Sequence, residues 1–421
     1  MQADAVYIGL DIGTSGARAI AMSHDGVVLA EGKSAMRDHD ENHRDPSVWW
    51  RAASTALKSA IQDFDASRVV AISVDGTSGT MIPVDGSHRP LSDGRMYNDP
   101  CTDTNLLDQI AQYAPAESAA HGSTSGLAKA LIFQSDKDVS NVLHQADWIA
   151  GQFCGTFSSD ANNALKTGFD PVGGEWPAWM SKTGLNVEFL PKVHAPGTPI
   201  GGLLPDMAAE FDLPLKAQIV AGTTDGCASF LATGAELPGD GVSALGTTLT
   251  IKILSDKPIF DPSCGIYSHY ILGNWLAGGA SNTGGNVLLA HFTPDEMAEL
   301  SVDIDPSTPA KFDYYPLVKP GERFPIADPA LAPRMSPVPE NRSEFLKELF
   351  EGIAGVEACG YSKLAELGAP KLTSVRSVGG GALDVAFSAI RRKRLAVPFL
   401  EPASSEAAYG AARLARYGMT L

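Results

Sequence analysis

The sequence runs to 421 residues, more than one hydrophobic core usually organises, which favours two domains with a cleft between them and excludes a single small binding module. At 44% hydrophobic, 19% charged and 8% aromatic residues, it is neither a mainly disordered nor a collagen-like chain. Its 32 basic against 49 acidic side chains leave a net charge of −17, which repels nucleic acid and anionic membrane at long range. A phosphate ligand then needs a local device such as backbone amides or a divalent cation.

Val6 to Ile12 is an apolar run that predicts a strand, and it ends in the polar turn Gly13-Thr14-Ser15-Gly16. Val48 to Phe64 repeats its apolar residues every three or four positions and predicts a helix. Val69 to Val74 is a second strand, ending in Asp75-Gly76-Thr77-Ser78-Gly79, and Asn141 to Cys154 reads as helix. Gln218 to Ala221 leads as a strand into Gly222-Thr223-Thr224-Asp225-Gly226. Two more strands, Val242 to Leu245 and Leu249 to Leu254, flank Gly246-Thr247-Thr248. Glu344 to Leu367 is helical, Val375 to Val378 is a strand running into Gly379-Gly380-Gly381, and Ser405 to Tyr417 closes the series as a helix. The class is α/β.

Glycine (42) and proline (28) are scattered between these runs instead of gathered into one linker, so a domain boundary must come from pattern. The five cysteines are far apart with no C-x-x-C pair, which points to a reducing compartment without a disulfide framework or zinc knuckle. No apolar run approaches the roughly 20 residues of a membrane span, and Met1-Gln2-Ala3-Asp4 lacks the basic start of a signal peptide. The expectation is a soluble protein of the cytoplasm, or of an organelle stroma after removal of a transit peptide, with no nucleic-acid or membrane partner.

Four polar turns follow apolar runs, each with glycine and threonine and three with aspartate. Any one is satisfied by a plain turn, because Gly, Asp, Ser and Thr are ordinary turn formers. Together they suit an anion: glycine lets backbone N–H groups approach without Cβ interference, and the hydroxyl adds a donor. A carboxylate such as Asp11 at a strand mouth complements them by attracting Mg²⁺ and its waters. Neither a P-loop nor a G-x-G-x-x-G fingerprint is present, and the nine histidines form no H-E-x-x-H set. The triglycine fits a tight turn or a surface lying flat against an adenine or ribose.

In this order the motifs resemble the FGGY carbohydrate kinases over nearly the whole chain. Tyr7 to Arg18 is similar to that family's first phosphate hairpin and Ser243 to Thr248 to its second; Gly222 to Gly226 resembles the segment with the catalytic base; Ser377 to Ala382 resembles the adenosine-side triglycine; and Glu406 to Ala412 resembles its closing helix. Ser73 to Met81 and Met96 to Asp99 resemble the two sugar-contacting stretches of pentulose kinases, and Ser159 to Lys166 a further stretch near the sugar, where Lys166 also reads as a solvated lysine.

The resemblance implies two actin-like, ribonuclease-H-like domains flanking an active-site cleft, divided as a sugar-binding and catalytic domain over 1–234 and a nucleotide-binding domain over 235–421. It implies Asp225 as catalytic base; Asp11, Asp75, Asp99 and Asp225 toward the sugar; and Asp11 toward Mg²⁺, directly or through water. ATP phosphates fall to Gly13, Thr14, Ser15, Gly16, Arg18, Gly246, Thr247 and Thr248, and the adenosine side to Gly380 and Gly381. Arg18 serves equally well as a surface arginine.

The sequence departs from the family in three ways. Ala382-Leu383-Asp384-Val385-Ala386-Phe387 lacks the usual asparagine soon after the glycines, which weakens the adenine assignment. The chain is short around residues 100–145 and 300–345, so no dimer or tetramer interface carries over. Ser78-Gly79-Thr80 stands where xylulokinases carry Met-His-Gly, which tilts the substrate toward D-ribulose, with D-xylulose second. Two other readings stay open: a non-catalytic actin-like nucleotide switch, which has no use for Asp75, Asp99 and Asp225 together, and a paired-acid hydrolase, which leaves the glycine turns unexplained.

Overall fold

Most apolar runs with glycine-rich ends become strands, gathered into two sheets of similar order. The computed structural model describes residues 4–420, so the Met1-Gln2-Ala3 start lies outside the described residues. Two compact units result: one takes the chain up to Gly234 with His269–Gly273 and the stretch from Ser404, the other Ala235–Ser268 with Asn274–Ala403.

In the first unit β1 (Val6–Ile12), β2 (Gly16–Ser23) and β3 (Val28–Ala35) form an antiparallel meander. Helix α1 (Pro46–Ile61) then leads to β4 (Val69–Gly76), which lies parallel to β1. The α1 start is fixed by Asp45, whose side chain accepts from Ser47 N, and by Pro46 in the first turn. Its buried face, Val48, Trp49, Ala52, Ala56 and Ala60, has the three-to-four-residue spacing of the sequence and packs on β2 and β3.

Next come β5 (Met81–Val84), α2 (Thr104–Tyr113), α3 (Gly126–Phe133), β6 (Asn141–His144), α4 (Gln145–Cys154), β7 (Ser159–Asp160), α5 (Ala161–Leu165), α6 (Trp179–Lys182) and β8 (Val193–His194). After β9 (Pro199–Gly202), α7 (Pro205–Phe211), β10 (Gln218–Thr224) and α8 (Asp225–Ala232), the main sheet is complete with order β3-β2-β1-β4-β10-β9. One expectation is corrected here. Asn141 to His144 is not the first turn of a helix but a strand paired with β5, because so short a stretch, with only Val142 and Leu143 apolar, serves either period and β5 offers it a ladder.

The second unit repeats the plan. β11 (Asp240–Leu245), β12 (Leu249–Ser255) and β14 (Asn274–Ala280) form the meander, after which β15 (Ser374–Val378) runs parallel to β11 and β16 (Phe399–Leu400) parallel to β15. The intervening strand β13 (His269–Ile271) falls in the segment grouped with the first unit. Helices α9 (Gly285–Leu289), α10 (Pro294–Ser301), α11 (Arg342–Glu366) and α12 (Val385–Leu395) complete the unit. Between α11 and α12 a fully buried ion pair, Glu357 with Arg391, also bonds Ser243 of β11 and Ser377 of β15. This mixed α/β architecture is the expected fold class.

The last helix, α13 (Ala407–Gly418), returns to the first unit, although the 235–421 division had assigned it to the second. The reason is steric fit of small residues. An added Cβ on Gly9 would stand 1.9 Å from Ala408 O, and one on Gly410 1.8 Å from Ala228 O, so β1, α13 and α8 pack backbone to backbone. Gly410→Val therefore drives α13 off α8 and is expected to lower stability by about 3 kcal/mol, the upper end of overpacking costs. Urea denaturation checks this; an unchanged midpoint would contradict the packing.

Candidate functional site

Register brings three strand ends of the first unit together. Asp11 of β1 lies beside Asp75 of β4, and Thr223 and Thr224 of β10 lie beside Asp75 and Gly76. Asp225 follows as the first residue of α8, its Oδ1 accepting from Gly226 N at 2.7 Å. Gly222 has no alternative in this arrangement, since a Cβ would meet Val74 O at 1.8 Å.

The three carboxyls feel one another. Asp75 is fully buried, and neither of its oxygens finds a donor while both acids are ionised. Burial first, then the charge of Asp11, hold Asp75 well above the usual carboxylate range, which favours its protonated form beside Asp11. Burial also pushes Asp11 up to about 6; the bond to Asp75 opposes this, and Asp225 reinforces it. A cation would relieve all three groups at once, and the donors are the hard oxygens that Mg²⁺ takes. Among the described residues no three His, Cys, Asp or Glu side chains form a ready-made metal cluster.

The turn after β1 closes through Gly13 N to Gly16 O at 2.9 Å, and Ser15 O accepts from Met36 N at 2.9 Å. Thr14 and Ser15 are exposed at its tip. Arg18 turns outward, half exposed, and pairs with Glu406 at 2.6 Å.

The two expected sugar stretches meet directly through Tyr97 and Thr80, which lie within them, and through Lys129, which the sequence did not single out. Tyr97 N donates to Thr80 Oγ1 at 3.0 Å, and Thr80 Oγ1 lies 2.6 Å from Thr77 Oγ1. Lys129, buried on α3, donates to Gly79 O at 2.7 Å and reaches Tyr97 O and Thr124 O at 3.3 and 3.1 Å. Desolvation lowers its pKa to about 8. Asp99 is not an open acceptor: both of its oxygens are taken by Arg44, and Met96 N donates to it at 2.8 Å. The Arg44 bond, ahead of burial, leaves Asp99 below the usual carboxylate range. Lys166 is half buried rather than solvated; its chain passes within 3.8 Å of where a Gly79 Cβ would stand. A lone lysine inside Gly126-Leu127-Ala128-Lys129-Ala130-Leu131-Ile132-Phe133 was a usable signal, whereas Arg44 lay in a polar loop without one. Arg44→Met frees the Asp99 loop; with the role that the resemblance implies for that stretch, it is expected to raise the KM for sugar about tenfold with a smaller change in kcat, as loss of a charged hydrogen-bonded pair implies. Steady-state kinetics check it.

In the second unit Gly246 and Thr247 form the β11–β12 turn and are held from behind, Gly285 N donating to Gly246 O and Asn286 N to Thr247 O at 2.9 Å each. The triglycine packs over the same turn: Gly379 has φ +88°, and a Cβ there would meet Leu245 O at 2.7 Å. Gly246, Thr247, Gly380 and Gly381 thus line one cavity of about 850 Å³, while Thr248 lines a neighbouring one of about 600 Å³. Where the family's asparagine was missed, the walls are apolar, including Leu288, Met297, Phe350 and Phe387.

Comparison with known proteins places these features in context. Residues 6–117 match the N-terminal domain of the FGGY family of carbohydrate kinases. A xylulose kinase of Klebsiella pneumoniae is 26% identical over 286 residues, 64% of this chain, so the chain spans only 59% of that relative. A ribulokinase of Halalkalibacterium halodurans is 24% identical, with 70% of this chain and 62% of that protein covered. A solved structure titled a xyloylose kinase from Brucella ovis superposes with a TM-score of 0.82 at 23% identity, covering 99% of this chain and 90% of the other; it shares the fold.

Proposed function

We infer that this chain, which belongs to the FGGY family of carbohydrate kinases, transfers the γ-phosphoryl group of ATP to the terminal hydroxyl of a ketopentose. The observation that carries the reading is the convergence of Asp11, Asp75 and Asp225 on adjacent strand ends beside a glycine-rich hairpin. In it, the first unit binds sugar and carries the catalytic base, and the second binds nucleotide.

Asp225 accepts the hydroxyl proton as the oxygen–phosphorus bond forms; for this transfer positioning matters more than basicity. Its bond from Gly226 N holds one oxygen and leaves the other for the substrate. Asp11, with Asp75 behind it, faces the metal side. Bound Mg²⁺ would supply charge neutralisation on the phosphates. The amides of Gly13 to Gly16 in one unit, and of Gly246 to Thr248 in the other, are each suited to phosphate oxygens. Arg18, held by Glu406, takes no part in this account. Asp99, neutralised by Arg44, shapes the sugar loop instead of serving as an open acceptor.

D-ribulose is the substrate favoured by Ser78-Gly79-Thr80 in place of the Met-His-Gly of xylulokinases. Relatives named xylulose kinase make D-xylulose the second reading. ADP release is to be followed over a panel of pentuloses, hexuloses and polyols. A ketopentose-dependent rate is the expected result; release indifferent to every sugar would replace the kinase with a nucleotide switch. The soluble substrates and reduced cysteines support a cytoplasmic setting.

A further inference from the structure

The second unit's cavity is unusual in what it offers a nucleotide base. Its volume of about 850 Å³ suits a nucleoside, and the Gly246-Thr247 turn and Gly380-Gly381 mark its phosphate end. The remaining wall is made of aliphatic and aromatic side chains, and its rim exposes large apolar groups: Leu383 is 85% exposed, Val385 83%, Val302 82% and Leu289 52%. Only three lining side chains are polar, Thr247, Ser301 and Asp384. Thr247 sits on the turn, Ser301 Oγ leans back to Ala298 O at 3.5 Å, and Asp384 Oδ1 is occupied as the cap of α12, accepting from Phe387 N at 2.8 Å. The second Asp384 oxygen is an acceptor alone. Every nucleobase, uracil included, presents an N–H donor, at positions that differ from base to base, so this single acceptor excludes none of them outright.

We propose that this cavity holds the base of the phosphoryl donor by apolar enclosure without reading its hydrogen-bonding edge, so that the protein accepts purine nucleoside triphosphates, and CTP, in place of ATP. The inference deepens the kinase reading and rests on it. A site that hydrogen-bonds a group rejects the analogue lacking it by about 10⁴-fold or more, whereas an apolar pocket discriminates by about a hundredfold at most. The exposed rim follows from the same design, since side chains that close over a planar base have to be apolar on the face that meets it.

The test measures sugar phosphate formed, not ADP, with ATP, GTP, ITP and CTP at saturating ketopentose, and separately the binding of ADP, GDP and IDP to the full chain by calorimetry. Values of kcat/KM within about a hundredfold of one another are expected. A preference for ATP beyond that overturns the proposal. If no donor supports sugar phosphorylation, the kinase reading fails, and the calorimetry still decides the inference: dissociation constants within the same span sustain it, and selective binding of ADP overturns it. Ala298→Trp, on the exposed face of α10 that lines the cavity, locates the base. It is expected to raise the KM of every donor by a common factor with the sugar KM unmoved; donor KM values that do not change would show that the base lies elsewhere.

Discussion

Asp225→Asn is expected to slow sugar phosphorylation by about 10³ to 10⁴, the upper range for removal of a general base, with the dissociation constant for ADP held within about twofold. Asparagine keeps the size of the side chain, and its Oδ1 accepts from Gly226 N as the carboxylate does at 2.7 Å, so the start of α8 is preserved. What disappears is the second oxygen's capacity to take a proton. Turnover measured beside calorimetric ADP binding separates the two. Near-normal turnover would remove Asp225 from the role of base, and a parallel loss of binding would make it a structural residue.

The second large effect concerns Asp75. Its folded pKa, like that of Asp11, is raised above the unfolded value, so the folded state binds the extra proton. The contribution of this pair to stability is then fully present below about pH 4 and is lost as pH rises through the window between the unfolded and folded values. For Asp11, near 6 when folded against about 3.9 in model peptides, the loss is at most about 3 kcal/mol. Asp75, raised further by burial and by Asp11, extends the loss to higher pH. Asp75→Asn keeps a neutral buried group that donates to Asp11 and removes one ionisation, so without Mg²⁺ it melts higher than the unsubstituted protein at pH 8 and equally at pH 4. Activity moves the other way, by about ten- to a hundredfold, because the group supporting Asp11 no longer contributes a negative charge toward a cation. Thermal melts at the two pH values check the first half, and an equal Tm difference at both would refute the upward shift of Asp75.

The contrast between what sequence showed and what it hid has a physical basis. Strands β1, β4, β10, β11 and β15 were legible because each is a buried apolar run stopped by glycine or a polar turn, and their ends carry the acids and hairpins. β2 and β14 were not, since Gly16-Ala17-Arg18-Ala19-Ile20-Ala21 and Leu276-Ala277-Gly278-Gly279-Ala280 lack a sustained β-branched pattern and owe their conformation to neighbouring ladders. Acids at strand tips could be proposed from local pattern alone. Their counterparts could not, because Arg44 lies 55 positions from Asp99 and Lys129 50 from Gly79, and only tertiary folding makes those pairs. The C-terminal helix was recognised as a helix but placed with the wrong unit. Helical periodicity reports which face is buried and is silent about the sheet that buries it.

That helix also imposes an order on biosynthesis. Tyr7 and Ile20 are translated well before Ala408, Tyr409, Ala412 and Ala415, which complete the cluster they form with Ala71 and Val220. The second unit, whose segments lie between Ala235 and Ala403, can finish folding on the ribosome while this apolar face still waits for its cover. The first unit therefore matures after the second, and a chain stalled before Ala408 presents its uncovered sheet as a surface for chaperone or protease.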